Sequence, residues 1–567
     1  MKRLSHLVAV GCTLIAGAMV SAAMPDSVRT DAGLVSGAPG APGTTTADIR
    51  AYKGIPYAAP PVGELRWKPP QAAAHWDGVR KGDQFAARCT QGGFGGGGRQ
   101  GAAAGRQGGA AGRQGAAPGA APAPQGAPAQ GRQGAAPAGL AAAPQPPTSE
   151  DCLYINVWTP ATAASDRKPV MVFSYGGGFT SGAGSEPRYD GEALAKKGVV
   201  VVTYNYRLGP FGWFAHPELT KESGHNASGN YGLMDAVAAL KWVQKNISSF
   251  GGDPRNVTIF GESAGAFQIA SMVGSPEAKD LFRRAVAESG AWMGIRMGKM
   301  TTLAQAEEAG QKMAETMGAK SIADLRAKSA EDLQREGRAG GMIVDGWYVP
   351  EDLSMTFAQG RENEADVLVG SNKDEGTFFQ RGGPPAAQFI AQTKERWGDL
   401  ADSFLKLYPA GTDEEANASS LAAARDEMTW HARLWAQLQA KRGKSKAYVY
   451  YFTHEPPSAP GQPSRGATHT AELAYVFGNL LPANREWPAV DRTLADQMTS
   501  YWANFATTGD PNGKGLPVWP QYKDKSSGRA MILGDKVEAE SSPDTARMAL
   551  YDQLFARQMS TPSRRTN

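Results

Sequence analysis

The residues around Ser263 combine types that could perform nucleophilic chemistry. The stretch Gly261–Gly265 has the sequence Gly-Glu-Ser-Ala-Gly, follows a predicted strand at 256–260 and precedes a helix-compatible stretch at 266–273. A sharp turn from strand to helix needs small residues on both sides of the serine, because larger ones would clash where the backbone reverses. Such a turn raises the hydroxyl above the sheet, at the positive end of the helix. The pattern alone is weak in a chain with 69 glycines, so its context carries the prediction that Ser263 is a nucleophile.

A serine nucleophile needs a base to take its proton and a carboxylate to hold that base. His469 lies in a loop of small residues that leads into a helix-like stretch, although a structural histidine would fit the same pattern. Glu375 and Asp374 follow an apolar strand at 366–369, and loops at strand ends are where such sheets place functional residues. Spacing alone leaves these two carboxylates as alternatives.

Three consecutive glycines form a further candidate element. Gly176, Gly177 and Gly178 follow another predicted strand at 170–175, and their lack of side chains lets main-chain amides face a substrate oxyanion. A phosphate-binding loop is the alternative, but the lysine and Ser/Thr expected to follow it are absent. Together with Ser263, these glycines favour acyl transfer.

The elements around these residues alternate between strand and helix. A uniformly apolar stretch at 199–204 predicts a strand that is covered on both faces, and 233–250 has apolar residues at helical spacing. The helix lies between two predicted strands, and this order indicates a parallel sheet. The predicted class is therefore α/β, with a large, mostly parallel twisted sheet that has helices on both faces and a closing helix at 544–559.

Residues 1–23 and 92–147 differ in composition from the rest of the chain. Residues 1–23 have a basic start, an apolar run and small residues at the end, which predicts a cleaved signal peptide and a secreted or periplasmic protein. A membrane anchor and a lipid-modified Cys12 are the alternatives. The stretch 92–147 consists mainly of Gly, Ala, Pro and Gln, which predicts a flexible insertion within the domain 24–567.

The net charge and the cysteine content limit which binding partners and bound groups are expected. The formal net charge is +4, but residues 1–23 carry two positive charges and residues 92–147 carry four, so the rest of the chain is slightly acidic and nucleic-acid binding loses its support. Cys89 and Cys152 are a possible disulfide pair after export. No cluster of His and Cys has ligand spacing, so we expect neither a metal nor a cofactor. The sequence leaves the oligomeric state open.

Several separate stretches resemble the type-B carboxylesterase and cholinesterase family of α/β-hydrolases, in the family's order. They are Lys53–Ala58 with the Pro-Pro-Val-Gly after it, Glu150–Val157, Asn205–Gly209, Phe250–Pro254 and the turn around Ser263. The resemblance runs from about residue 28 to 555, apart from the insertion. It also implies an α/β-hydrolase fold. One departure concerns substrate, because cholinesterases place a cation-binding tryptophan between their first two cysteines and this chain has none there, so choline specificity is not expected.

The resemblance implies a role for each candidate residue. Ser263 would be the nucleophile, His469 the base and Glu375, rather than Asp374, the acid. The oxyanion hole would be formed by the amides of Gly177, Gly178 and Ala264, and Glu262 and Ser289 would give buried polar support. The expected function is hydrolysis of small-molecule carboxylic esters through an acyl-enzyme. A catalytically inert interaction protein and an amide or thioester hydrolase are the alternatives.

Overall fold

The computed structural model describes residues 25–39, 48–92, 145–295, 298–337, 340–379, 383–481, 485–523, 528–541 and 545–560. The predicted signal peptide and nearly all of the predicted insertion lie outside these residues. Within the described ranges, no helix is long and apolar enough to cross a membrane.

The strands are numbered in chain order. They are β1 (Ser27–Arg29), β2 (Leu34–Pro39), β3 (Arg50–Pro56), β4 (Val79–Gly82), β5 (Arg88–Cys89), β6 (Thr148–Ser149), β7 (Tyr154–Thr159), β8 (Lys168–Ser174), β9 (Val200–Tyr204), β10 (Gly252–Glu262), β11 (Arg284–Glu288), β12 (Thr301–Thr302), β13 (Ile343–Val344), β14 (Asp366–Asn372), β15 (Ala447–Phe452), β16 (Arg529–Leu533) and β17 (Val537–Ser541).

The α-helices are numbered in the same way. They are α1 (Glu192–Ala195), α2 (Gly209–Gly212), α3 (Pro217–Glu222), α4 (Tyr231–Asn246), α5 (Ala264–Gly274), α6 (Leu303–Thr316), α7 (Ile322–Arg326), α8 (Ala330–Glu336), α9 (Leu353–Gln359), α10 (Gly376–Phe379), α11 (Ala386–Trp397), α12 (Ala401–Leu407), α13 (Asp413–Arg442), α14 (Leu473–Val476), α15 (Ala489–Thr508) and α16 (Thr545–Ser560).

One large sheet organises the fold. Among the described residues its strand order is β1-β2-β3-β7-β9-β8-β10-β11-β14-β15-β16-β17, with β4 paired to β2. The run from β9 to β16 is parallel, and antiparallel strands lie on either side of it. Every residue of β9 and β11 is buried, so both faces of the sheet are covered there. The α/β class and the mostly parallel sheet predicted from sequence are confirmed.

The strand order reverses beside β8, and this reversal positions the candidate site. The chain passes from β8 to β9 on one side, whereas β10 pairs with the other side of β8. In open α/β sheets, ligands bind outside the carboxyl ends of the strands at such a point, because the connections leave in opposite directions and open a crevice. The glycines at 176–178 follow β8, and Ser263 follows β10.

A disulfide joins the chain segments before and after the predicted insertion. Cys89, at the end of β5, is bonded to Cys152, and both residues are buried. Next to the bond, β5 pairs with β6, so the chain segments on the two sides of the insertion meet in a short parallel ladder. The two ends of residues 92–147 are thereby fixed to each other.

Candidate active site

Ser263 lies on a strained turn between β10 and α5. Its φ of 57° and ψ of −125° belong to a region that residues with side chains rarely adopt. The turn is fixed by a hydrogen bond from the Ser263 N–H to the Glu288 carbonyl, 2.9 Å away. A Cβ at Gly265 would lie 1.9 Å from the Ser174 carbonyl oxygen, and one at Gly261 would lie 2.6 Å from it. Both glycines are therefore required by close backbone packing. The sequence predicts this, because larger residues would clash where the backbone reverses.

The glycine loop after β8 packs directly against this turn. A Cβ at Gly176 would lie 2.7 Å from Glu262 Oε2 and 2.9 Å from Ser263 Cβ, so only a glycine allows this approach. No described residue accepts a hydrogen bond from the N–H groups of Gly177, Gly178 or Ala264. Amides without a partner next to a serine are what an oxyanion hole requires.

His469 and Glu375 form a close, buried polar contact at the centre of the site. His469 Nδ1 lies 2.5 Å from Glu375 Oε2, and both side chains are only 1% exposed. The other oxygen, Oε1, accepts hydrogen bonds from the Ser289 hydroxyl at 2.6 Å and from the Asn372 N–H at 2.8 Å. Because a carboxylate only accepts, Nδ1 carries a proton, and Nε2 is the ring nitrogen that could act as a base when the imidazole is neutral.

Asp374, the alternative acid, binds the backbone of the loop that carries His469. Its Oδ2 accepts a hydrogen bond from the Ala467 N–H at 2.9 Å, and its own N–H donates to the Ala467 carbonyl at 3.0 Å. These bonds hold the loop that carries His469, but they do not involve the imidazole. The geometry therefore favours Glu375 as its carboxylate partner.

Glu262 contributes a second carboxylate to the imidazole. Its Oε1 lies 3.1 Å from His469 Nε2. Burial raises the pKa of Glu262 to about 7, although His469 and Arg188 oppose that rise. Burial alone would lower the pKa of His469, but Glu262 and Glu375 more than offset this and raise it to about 9.

The sequence prediction did not include two further buried carboxylates. Glu472 is three residues after His469 and accepts a hydrogen bond from the Asn372 side chain, while burial and the nearby Glu262 raise its pKa to about 8. Glu288 precedes Ser289 and accepts a hydrogen bond from Trp502 Nε1 at 2.6 Å. Burial raises its pKa well above the usual range. The only sequence feature that could have indicated these two carboxylates is that each is close in sequence to a predicted site residue.

We expect the variant Glu262→Gln to shift the acid limb of the pH profile. As the predicted base, His469 would accept a proton only when neutral, so kcat/KM should rise as the pH increases through its pKa. Removing the Glu262 charge lowers that pKa, and the limb should move to lower pH by on the order of one unit. The measurement is kcat/KM for an aryl ester between pH 5 and 10. The exposed Glu364→Gln is the control, and a limb that stays in place or moves to higher pH would contradict the assignment.

Comparison with known proteins shows which family the chain resembles. Residues 24–551 match the model of the carboxylesterase family. The chain belongs to this family. The carboxylesterase is 35% identical to fumonisin B1 esterase of Sphingopyxis macrogoltabida, over 90% of its own length and 87% of that protein. It is 32% identical to para-nitrobenzyl esterase of Bacillus subtilis (strain 168), over 89% and 95% of the two chains.

A solved structure of a para-nitrobenzyl esterase superimposes on the carboxylesterase with a TM-score of 0.75. The match covers 93% of this chain and 99% of the other, at 31% identity. The protein therefore has the α/β-hydrolase fold and is a carboxylic ester hydrolase, as the sequence predicted.

Proposed function

We propose that this carboxylesterase hydrolyses small-molecule carboxylic esters through an acyl-enzyme on Ser263, with His469 as the base and Glu375 as the acid. The observation that carries the proposal is the hydrogen-bonded chain from Ser289 to Glu375 to His469. His469 in turn contacts Glu262, the residue before Ser263 on the strained turn. The order of the three residues, Ser, Glu, His, agrees with the α/β-hydrolase order.

In the acylation step, Ser263 Oγ attacks the ester carbonyl carbon while His469 Nε2 takes the hydroxyl proton. The carbonyl oxygen becomes an oxyanion and accepts hydrogen bonds from the amides of Gly177, Gly178 and Ala264. The C–O bond to the alcohol then breaks, and His469 gives its proton to the leaving alkoxide. The ester is thereby cleaved, and the acyl group is on Ser263.

Deacylation repeats these steps with water. His469 removes a proton from a water molecule, whose oxygen attacks the acyl carbon and forms a second oxyanion on the same amides. Collapse of this intermediate breaks the bond to Ser263 Oγ, which recovers its proton from His469. The carboxylic acid leaves, and the enzyme returns to its starting state.

We also propose that the protein acts after export, in the periplasm or outside the cell. The signal-peptide pattern at 1–23 supports this, as does the Cys89–Cys152 disulfide, which persists in an oxidising compartment. In this proposal 24–567 forms one catalytic domain, with 92–147 as an insertion.

Relative rates on matched substrates test the bond type. We expect aryl and para-nitrobenzyl esters to be cleaved at least about 100-fold faster than the matched anilides, because His469 must protonate a far poorer leaving group in an amide. Kinetics with ester, thioester and anilide of the same acyl group, across graded acyl lengths, measure this directly. Faster cleavage of the anilide or the thioester would make that bond, rather than the ester, the preferred substrate bond.

A further inference from the structure

Gln91 forms an unusual contact with the loop that follows the glycines after β8. Its side-chain Nε2 donates a hydrogen bond to the Gly182 carbonyl at 2.9 Å, and its Oε1 accepts one from the Gly182 N–H at 2.9 Å. The carboxamide thus pairs with a main-chain residue as a neighbouring strand would. Reversing the amide would place donor against donor and acceptor against acceptor, so both bonds fix its orientation.

Gly182 is itself tied to the proposed oxyanion amides. The Gly177 carbonyl accepts hydrogen bonds from the N–H groups of Thr180 and Ser181, at 3.1 and 3.2 Å, and from both of their hydroxyls at 3.2 Å. Gly182 packs against Gly176 at the start of the same turn: a Cβ on Gly182 would lie 2.8 Å from the Gly176 carbonyl oxygen. Residues 176–182 therefore form a closed turn, and Gln91 is hydrogen-bonded to Gly182 at its C-terminal end.

The same side-chain amide of Gln91 also binds next to the disulfide. Its Nε2 also donates to the Cys89 carbonyl at 3.0 Å, and Cys89 is covalently bonded to Cys152. The intervening Thr90 N–H donates to the Ser149 carbonyl at 3.1 Å, which continues the β5–β6 ladder. The glutamine therefore connects the turn at 176–182 to a covalently fixed point on the protein.

We propose that Gln91 is a positioning residue that keeps the amides of Gly177 and Gly178 aimed at the oxyanion. Gln91 acts through the turn, because within the described ranges its side chain forms hydrogen bonds with Cys89 and Gly182. The proposal rests on the proposed function, since it assumes that these amides stabilise the tetrahedral intermediate. Preorganised donors act in the transition state more than in substrate binding, so a loosened turn should reduce kcat rather than raise KM.

The test uses Gln91→Met, which keeps the length of the side chain and removes both hydrogen bonds to Gly182. We expect kcat for an aryl ester to fall about 10- to 100-fold while KM changes less than about threefold. The affinity for a trifluoromethyl ketone, which forms a tetrahedral oxyanion on serine, should fall by the same factor as kcat/KM. Amide hydrogen exchange in 176–182 should also become faster.

Gln71→Met is the matched control, because Gln71 is an exposed glutamine whose side chain, among the residues that the structure describes, bonds only to the nearby Pro69 carbonyl. It should leave kcat, inhibitor affinity and exchange unchanged. If Gln91→Met does not fold, Gln91→Glu is used instead. The glutamate keeps an acceptor for the Gly182 N–H but has no donor for the Gly182 carbonyl. Its kcat should fall less than that of Ser263→Ala. A lower melting temperature with unchanged kcat and unchanged inhibitor affinity would overturn the proposal and leave a structural role. Activity retained in Ser263→Ala would instead overturn the proposed function itself.

Discussion

Replacing Ser263 with alanine should reduce ester turnover by roughly 10⁴- to 10⁶-fold. The hydroxyl is the only protein group in the proposed mechanism that bonds to the acyl carbon, so the remaining rate would come from substrate binding and the oxyanion amides. Alanine and serine face the same backbone strain at the φ of 57°, so the melting temperature should change little. The measurement is kcat/KM for an aryl ester, together with circular dichroism of the variant.

Ser271→Ala is the matched control for this experiment. Ser271 is also buried and lies on α5, where its hydroxyl donates to the Phe267 carbonyl at 2.9 Å. It should retain activity within a few-fold of the wild type. Full turnover in Ser263→Ala, or an equal loss in both variants, would remove Ser263 from the mechanism.

Glu375→Gln and Asp374→Asn should separate two carboxylates that are adjacent in sequence. Glu375→Gln keeps the volume of the side chain but removes the charge beside His469 Nδ1, and its amide can hold the imidazole in the wrong tautomer. We expect kcat to fall by about 10³- to 10⁴-fold. In Asp374→Asn the side-chain oxygen can still accept from the Ala467 N–H, so the loss should stay below about tenfold.

Steady-state kinetics of both variants at the pH optimum measure this difference. The two substitutions are chemically alike, so each is the control for the other. A large loss in Asp374→Asn with little effect of Glu375→Gln would reverse the assignment of the acid.

Local sequence was sufficient to predict the parts of the site that depend on backbone chemistry. The glycines beside Ser263 are needed where β10 and α5 meet, because a side chain would collide with the Ser174 carbonyl. The predicted strand at 199–204 agrees with β9 within one residue, since a strand buried on both faces has an unmistakable apolar pattern. Both patterns can be recognised in a short stretch of sequence, although the contacts that require them, such as that with Ser174, are made by residues distant in sequence.

Features that depend on long-range contacts could not be predicted in the same way. Glu375 and Asp374 follow the same strand, so spacing alone leaves them as alternatives and Glu375 is preferred only through the family resemblance. In the fold, Glu375 contacts His469, which lies 94 residues away. β10 begins at Gly252, four residues before the predicted strand, because Gly252 pairs with Lys168 on β8. Glu288 and Glu472 have no pattern of their own, and their importance comes from burial beside other carboxylates.

The central claim is that the acyl group is carried by Ser263, and covalent labelling tests it most directly. A fluorophosphonate mimics the tetrahedral intermediate and bonds irreversibly to an activated serine. Intact-mass analysis followed by peptide mapping should find one phosphonyl group per active molecule, on the peptide that contains Ser263, and activity should be lost in the same proportion. A label on another residue, or full activity in a fully labelled Ser263 sample, would contradict the account.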